Sequence, residues 1–122
     1  LICVFGSAGG GRDKWKRPEL GRIAGANSDV VILCNEDPYG ENPMEIARAI
    51  AAGCKNIQPE IVLDRKEAIV KAAALAKKDD ILLILGKGTE QIMIVGDKKI
   101  PWDDRLVVRE ILKNQLCLKS GL

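Results

Sequence analysis

A cation, a hydroxyl and a carboxylate stand together in Gly86-Lys87-Gly88-Thr89-Glu90, directly after the unbroken aliphatic run Ile81-Leu82-Leu83-Ile84-Leu85. Glycine at such a point permits a tight turn and close approach of the backbone to a ligand. Two other stretches repeat the form, an apolar run followed by a loop rich in glycine or charge. Residues 1–5 lead into Gly6-Ser7-Ala8-Gly9-Gly10-Gly11 and then Arg12-Asp13-Lys14-Trp15-Lys16-Arg17-Pro18. Residues 29–35 lead into Glu36-Asp37-Pro38-Tyr39-Gly40-Glu41-Asn42-Pro43. Side by side, the three loops would set Arg12, Lys14, Lys16 and Arg17 near Glu36, Asp37 and Glu90. A mixed-charge rim of this kind suits a small zwitterion: carboxylates take its ammonium, and an arginine fork takes its carboxylate bidentately. Backbone N–H groups of the 6–11 loop could wrap an anion. That loop nevertheless fits neither G-x-G-x-x-G nor the G-K-[ST] ending of a P-loop. Lys16, Arg17 and Lys87 are candidates for a phosphate-facing or interdomain role, Lys87 because it lies between two glycines.

These loops need strands that end at one edge. The run 81–85 reads as a central strand buried on both faces, with further strands at 1–5, 29–35 and a short one at 60–63. Helices are predicted between them. The first covers 19–26, with Pro18 in its opening turn and Leu20, Ile23 and Ala24 facing inward. The second is capped by Asn42, opened by Pro43, carries Met44, Ile46, Ala47 and Ile50 at helical spacing, and stops at Gly53. The third is capped by Asp64 with Glu67 three residues on, and buries Ala68, Ile69, Ala72, Ala73 and Ala76. Gly96-Asp97 between two apolar segments signals a β-hairpin. A last helix from Asp104 to about Leu116, capped by Asp103, buries Val107, Val108, Ile111 and Leu112, with Trp102 packed against it. The order β-α-β-α-β-α-β, hairpin, helix implies an α/β fold. Its sheet is mostly parallel and covered on both faces, because crossovers between parallel strands are right-handed.

Composition narrows the function. The 122 residues suit a single domain, 1–122, and their 47% hydrophobic but 3% aromatic content calls for an aliphatic core. A net charge of +2, from 19 basic and 17 acidic residues, argues for no nucleic-acid partner and no membrane surface. No apolar run reaches the ~18 residues of a membrane span. Cys3, Cys34, Cys54 and Cys117 lack C-x-x-C spacing, and the chain has no histidine, so no metal site is expected. Buried free thiols point to a reducing compartment, hence the cytoplasm. A start in mid-strand without methionine suggests a domain excised from a larger protein.

FGSAGGGRDKWKRPELG, NEDPYGENP, DRKEAI, ILGKGTEQ and PWDDR, in this order, resemble the C-terminal domain of Mur ligases. Among them, the ligases adding the third residue of the peptidoglycan stem are most similar. The resemblance implies a Rossmann-like three-layer domain with a C-terminal β-hairpin and helix. It also implies an enzyme that uses ATP and Mg²⁺, bound mainly outside this chain, to form an acyl phosphate on UDP-N-acetylmuramoyl-dipeptide, which an amino acid's amine then attacks. It assigns no catalytic residue to this domain. Its substrate-binding residues would be Arg12, Glu36, Asp37, Pro38, Tyr39, Gly86 and Glu90. Arg12 matches the arginine of a Gly-Asp-Arg-Asp loop, and Gly86 and Glu90 match a Gly-Lys-Gly-His-Glu motif in which Thr89 replaces His. Glu36-Asp37-Pro38-Tyr39 stands where the diaminopimelate signature Asp-Asn-Pro-Arg is usual. A tyrosine cannot clamp a distal carboxylate bidentately, so the expected amino acid is lysine-like or another diamino acid. A polyglutamate- or cyanophycin-type ligase domain, and a stand-alone flavodoxin-like binding module, are the alternatives.

Overall fold

A computed structural model describes residues 1–11 and 13–119, the last four of these by backbone alone. The elements run β1 (Ile2–Phe5), α1 (Lys16–Asn27), β2 (Val30–Leu33), α2 (Pro43–Ala51), β3 (Glu60–Ile61), α3 (Arg65–Leu75), β4 (Leu82–Ile84), β5 (Ile92–Val95), β6 (Lys98–Pro101) and α4 (Asp104–Lys119). The first four strands form a parallel sheet in the order β3-β2-β1-β4. β5 and β6 pair antiparallel as a separate hairpin, turning at Gly96 with φ +64°.

Strand side chains alternate between faces and so define two cores. Ile2, Val4, Ile32 and Cys34 pack with Ala68, Ile69, Ala72, Ala73 and Ile111, under α3 and α4. Cys3, Phe5, Val31 and Leu33 pack with Ile46, Ala47 and Ile50, under α2. The result is the expected three-layer α/β arrangement. Helix starts follow the sequence signals. Asn42 Oδ1 accepts from Met44 N at 2.9 Å, and Asp64 Oδ1 from Glu67 N at 2.9 Å. Asp103 Oδ1 accepts from Arg105 N at 2.9 Å. Trp102 packs against the α3–α4 core, and its indole N–H reaches Asp104.

Three packing expectations need correction. The sheet is centred on β1, and β4 is at its edge, with Leu83 and Leu85 39% and 46% exposed. The chain crosses from β3 over β2 and β1 to place β4, so an apolar sequence marks an edge strand here. Leu20 and Ile23 do not face the core. They line an open groove of about 380 Å³ with Cys3, Phe5, Leu83 and Leu85. α1 is rotated so that Gly21 and Gly25 meet the α2 end of the chain instead. A β-carbon at Gly21 would lie 1.9 Å from Ile50 O, and one at Gly53 would lie 1.7 Å from Pro18 O. Helices this close have room only for backbone at the crossing. On α4, Leu112 is exposed while Ile111 is buried. Cys3 and Cys34 are buried free thiols, whereas the Cys117 side chain lies outside the described residues. Among the described residues, no helix is long and apolar enough to cross a membrane.

Gly21→Ala should therefore force α1 away from Ile50 O. The expected loss is about 2–3 kcal/mol of unfolding free energy, typical of overpacking, read from the urea midpoint at unchanged m-value.

Candidate functional site

Parallel pairing of β1 with both β2 and β4 sends the chain out of all three strands at one edge. The loops there touch. Gly9 N donates to Asp37 O at 2.7 Å, joining the first loop to the second. Gly86, at φ +108°, lies so near the second loop that a β-carbon would sit 2.7 Å from Glu36 Oε2. The hairpin joins as well: Tyr39 N donates to Ile94 O at 3.3 Å, and Gly96 N to Tyr39 O at 2.6 Å. Tyr39 takes φ +53° in this turn, an unusual backbone for a non-glycine residue, with its ring over Gly10.

Lys87 is not the outward cation that its glycine neighbours suggest. Its side chain is fully enclosed, with Nζ 2.7 Å from Asp37 Oδ1 and 2.7 Å from Glu90 Oε2. Burial disfavours its charge, but the hydrogen bonds it donates to these two carboxylates more than offset that, and its pKa is raised. Asp37 Oδ1 also accepts from Ile94 N at 2.8 Å. Glu90, by contrast, keeps 55% of its side chain exposed.

Arg17 is turned inward too. Its guanidinium grips Glu41 through two bonds of 2.8 and 3.0 Å and reaches Ala8 O at 3.1 Å. Glu41 Oε2 also accepts from Gly11 N at 3.2 Å, and Lys14 stands 3.5 Å from Oε1. Chiefly through Arg17, the Glu41 carboxyl is held down at about 2. Of the glycine loop's backbone, the Gly11 N–H alone among the described residues donates to this carboxylate, which is held mainly by Arg17. Arg17 and Lys87 are thus both enclosed and engaged by carboxylates of the domain itself. Lys16 remains exposed, beside Asp13 at 3.1 Å.

Under the loops lies Arg65, from the first turn of α3. It donates to Asp104 Oδ1 and Oδ2 at 2.9 and 2.7 Å, to Asn35 O at 3.1 Å and to Leu85 O at 3.0 Å. One buried guanidinium thereby fixes the exits of β2 and β4 and the start of α4.

Glu36 differs from all of these. It is half-buried at the end of the apolar groove, with Ser7, Phe5, Leu85 and Gly86 around it. Burial, and secondarily the charge of Asp37, push its pKa from 4.5 up to about 7, against the pull of Arg65 and Lys87. A carboxyl in such a place gains most when a cation arrives.

The structure brings Glu36, Tyr39, Gly86 and Glu90 together at one rim, with Asp37 and Pro38 buried beneath it, while Arg12 lies outside the described residues. Glu41, Arg65 and Asp104 were missed by the sequence reading. A signal for Arg65 and for Arg17 was there: a cation in a helix's first turn opposes the helix dipole, so each needed a carboxylate partner from elsewhere.

A parallel sheet whose carboxyl edge gathers three loops and an acidic rim defines a Rossmann-like ligand-binding domain. This chain belongs to the Mur ligase family: the "Mur ligase, glutamate ligase domain" matches residues 1–88. It is 50% identical to the UDP-N-acetylmuramoyl-L-alanyl-D-glutamate–2,6-diaminopimelate ligase of Caldanaerobacter subterraneus subsp. tengcongensis, over 91% of this chain and 23% of the relative. It is 47% identical to ligase 1 of that name from Clostridium acetobutylicum, over 93% and 23%. With the UDP-N-acetylmuramyl-tripeptide synthetase of Treponema denticola it shares 46%, over 96% and 23%. A solved UDP-N-acetylmuramoyl-L-alanyl-D-glutamate–2,6-diaminopimelate ligase superposes with a TM-score of 0.87 at 32% identity, over 94% of this chain and 24% of that one. The chain thus spans about a quarter of the length of the relatives it matches.

The Glu36 carboxyl holds its proton up to about 7 in the folded chain but only to about 4.5 once unfolded. Between these values the folded state binds more protons, so this group's contribution to stability falls as pH rises through that window. Across it the loss is at most roughly 3 kcal/mol. Glu36→Gln should flatten the fall of the melting temperature between pH 5 and about 7.5, and raise it at the alkaline end. An unchanged pH slope in the variant would contradict this assignment. Arg65→Met should cost about 3–5 kcal/mol in urea unfolding, the usual result of stranding one partner of a buried ion pair.

Proposed function

We propose that residues 1–122 are the amino-acid-binding domain of a longer, cytoplasmic, ATP-dependent carbon–nitrogen ligase. That ligase adds a diamino acid to UDP-N-acetylmuramoyl-dipeptide in peptidoglycan synthesis. The observation that carries this reading is the acidic rim: half-buried Glu36 beside Gly86, without a hydrogen-bond partner among the described residues, and Glu90 with 55% of its side chain exposed. The names of the relatives, ligases for diaminopimelate and a tripeptide synthetase, support the reaction class. Their greater length supports a division of labour. ATP and Mg²⁺ belong to the remainder of the enzyme, where the dipeptide carboxylate becomes an acyl phosphate. The domain presents the amino acid, its side-chain ammonium held against Glu36 and Glu90 so that the other amine is free to attack.

The rim also bears on which diamino acid is taken. Lys87 and Arg17 are neutralised by carboxylates inside the domain, and Lys14 and Lys16 stand beside Glu41 and Asp13. Tyr39 occupies the place of the signature arginine. On this reading the distal end of the amino acid meets Glu36, Glu90 and Tyr39, which are acidic or phenolic. They suit an ammonium terminus, as in lysine or ornithine, better than the distal carboxylate of diaminopimelate.

In the full-length ligase, lysine or ornithine should show a KM at least about tenfold below that of meso-diaminopimelate, and Tyr39→Arg should narrow or reverse the ratio. The isolated chain should release no ADP. Preference of the wild-type enzyme for meso-diaminopimelate would sink the distal-ammonium assignment, and ADP release by the isolated chain would sink the division of labour.

A further inference from the structure

Lys87 is more thoroughly enclosed than its setting requires. It sits in a turn between two glycines at a sheet edge, yet its side chain has no exposed surface, and its ammonium is shared by carboxylates fifty and three residues away in sequence. The two carboxylates are anchored unequally. Asp37 has a second anchor, the Ile94 N–H at 2.8 Å, and its turn is further held through Tyr39 and Gly96 to the hairpin. Among the described residues Glu90's carboxylate has one hydrogen bond, accepted from Lys87 at 2.7 Å through Oε2. Lys87 is thus what keeps Glu90 folded over the rim rather than extended into water. The arithmetic of charge matters as well. Two carboxylates share one ammonium, so the cluster keeps one negative charge in surplus, close to the half-buried carboxyl of Glu36.

Resting on the function proposed above, we propose that Lys87 is a positioning residue that sets selectivity for an ammonium-bearing side chain. It fixes Glu90 with its second oxygen turned outward and ties the 36–39 turn to the 86–90 turn. The rim then presents acceptors at a fixed spacing and an unsatisfied negative charge. Lys87 itself touches no substrate; its effect passes through Glu90 and Asp37.

The test uses the full-length ligase with lysine, ornithine, ATP and UDP-N-acetylmuramoyl-dipeptide. Lys87→Met should raise the KM for the amino acid about tenfold or more, with the KM for ATP and for the dipeptide within about twofold of wild type. Because that variant strands Asp37 in a buried place, it could fail for lack of folding alone. The Asp37→Asn/Lys87→Met double variant removes that stranded charge and keeps an acceptor for Ile94 N–H. It should regain the wild-type melting temperature while its amino-acid KM stays raised, since Glu90 is still unheld. If the folded double variant recovers a wild-type KM, or if all three KM values rise together, Lys87 is structural only and the inference falls. If the wild-type enzyme turns over no diamino acid at all, the functional reading falls first, and this inference with it.

Discussion

One guanidinium underlies this molecule. Arg65 reaches up from the start of α3 and holds two carbonyls where β2 and β4 leave the sheet, while its remaining donors clasp Asp104 at the head of α4. Without it, two strand exits separated by β1 would lose their shared buried anchor, and Asp104 would lose its bidentate partner. A charge in that position is costly to desolvate, and is kept because its donors are matched by carboxylate and carbonyl acceptors. The planar fork is suited to this task, since a lysine could not serve three elements in three directions. The loops that form the rim rest on this layer.

Above it, the same device recurs twice with a different purpose. Arg17 with Glu41 closes the glycine loop, and Lys87 with Asp37 and Glu90 closes the edge between β2 and β4. In each case a residue that looks like a ligand-binding cation is consumed internally. The lip that remains is mixed: Glu90 keeps 55% of its side chain exposed, and Lys14 and Lys16 are exposed beside Glu41 and Asp13. Glu36 is driven towards neutrality chiefly by its burial and secondarily by the charge of Asp37, against the pull of Arg65 and Lys87.

The exposed side of β4 belongs to the same economy of construction. Its leucines, with Leu20 and Ile23, form an apolar groove that ends at Glu36. The glycines of α1 explain the groove's existence. By letting α1 lie against the backbone at Ile50, they draw the helix towards α2 and leave the β1–β4 half of that face open.

Strand and helix positions, three cap residues and the hairpin were all legible in the chain, because periodicity, capping and turn chemistry are local and act over a few residues. So was the convergence of three loops, since parallel strands all leave the sheet at the same edge. The family itself was readable from five short motifs. Local pattern could not say which way a side chain faces once the layers close. Leu20, Ile23 and Leu83 look like core residues and are not, because helix rotation and strand order depend on distant glycines and on where the last crossover lands. Nor could it separate a binding cation from a buried one. Lys87 and Arg17 owe their enclosure to Asp37 and Glu41, which lie fifty and twenty-four positions away. Sequence determined which charges this domain possesses. Only the tertiary structure decided which of them cancel one another, since electrostatic pairing is settled by distance in space and by the exclusion of water.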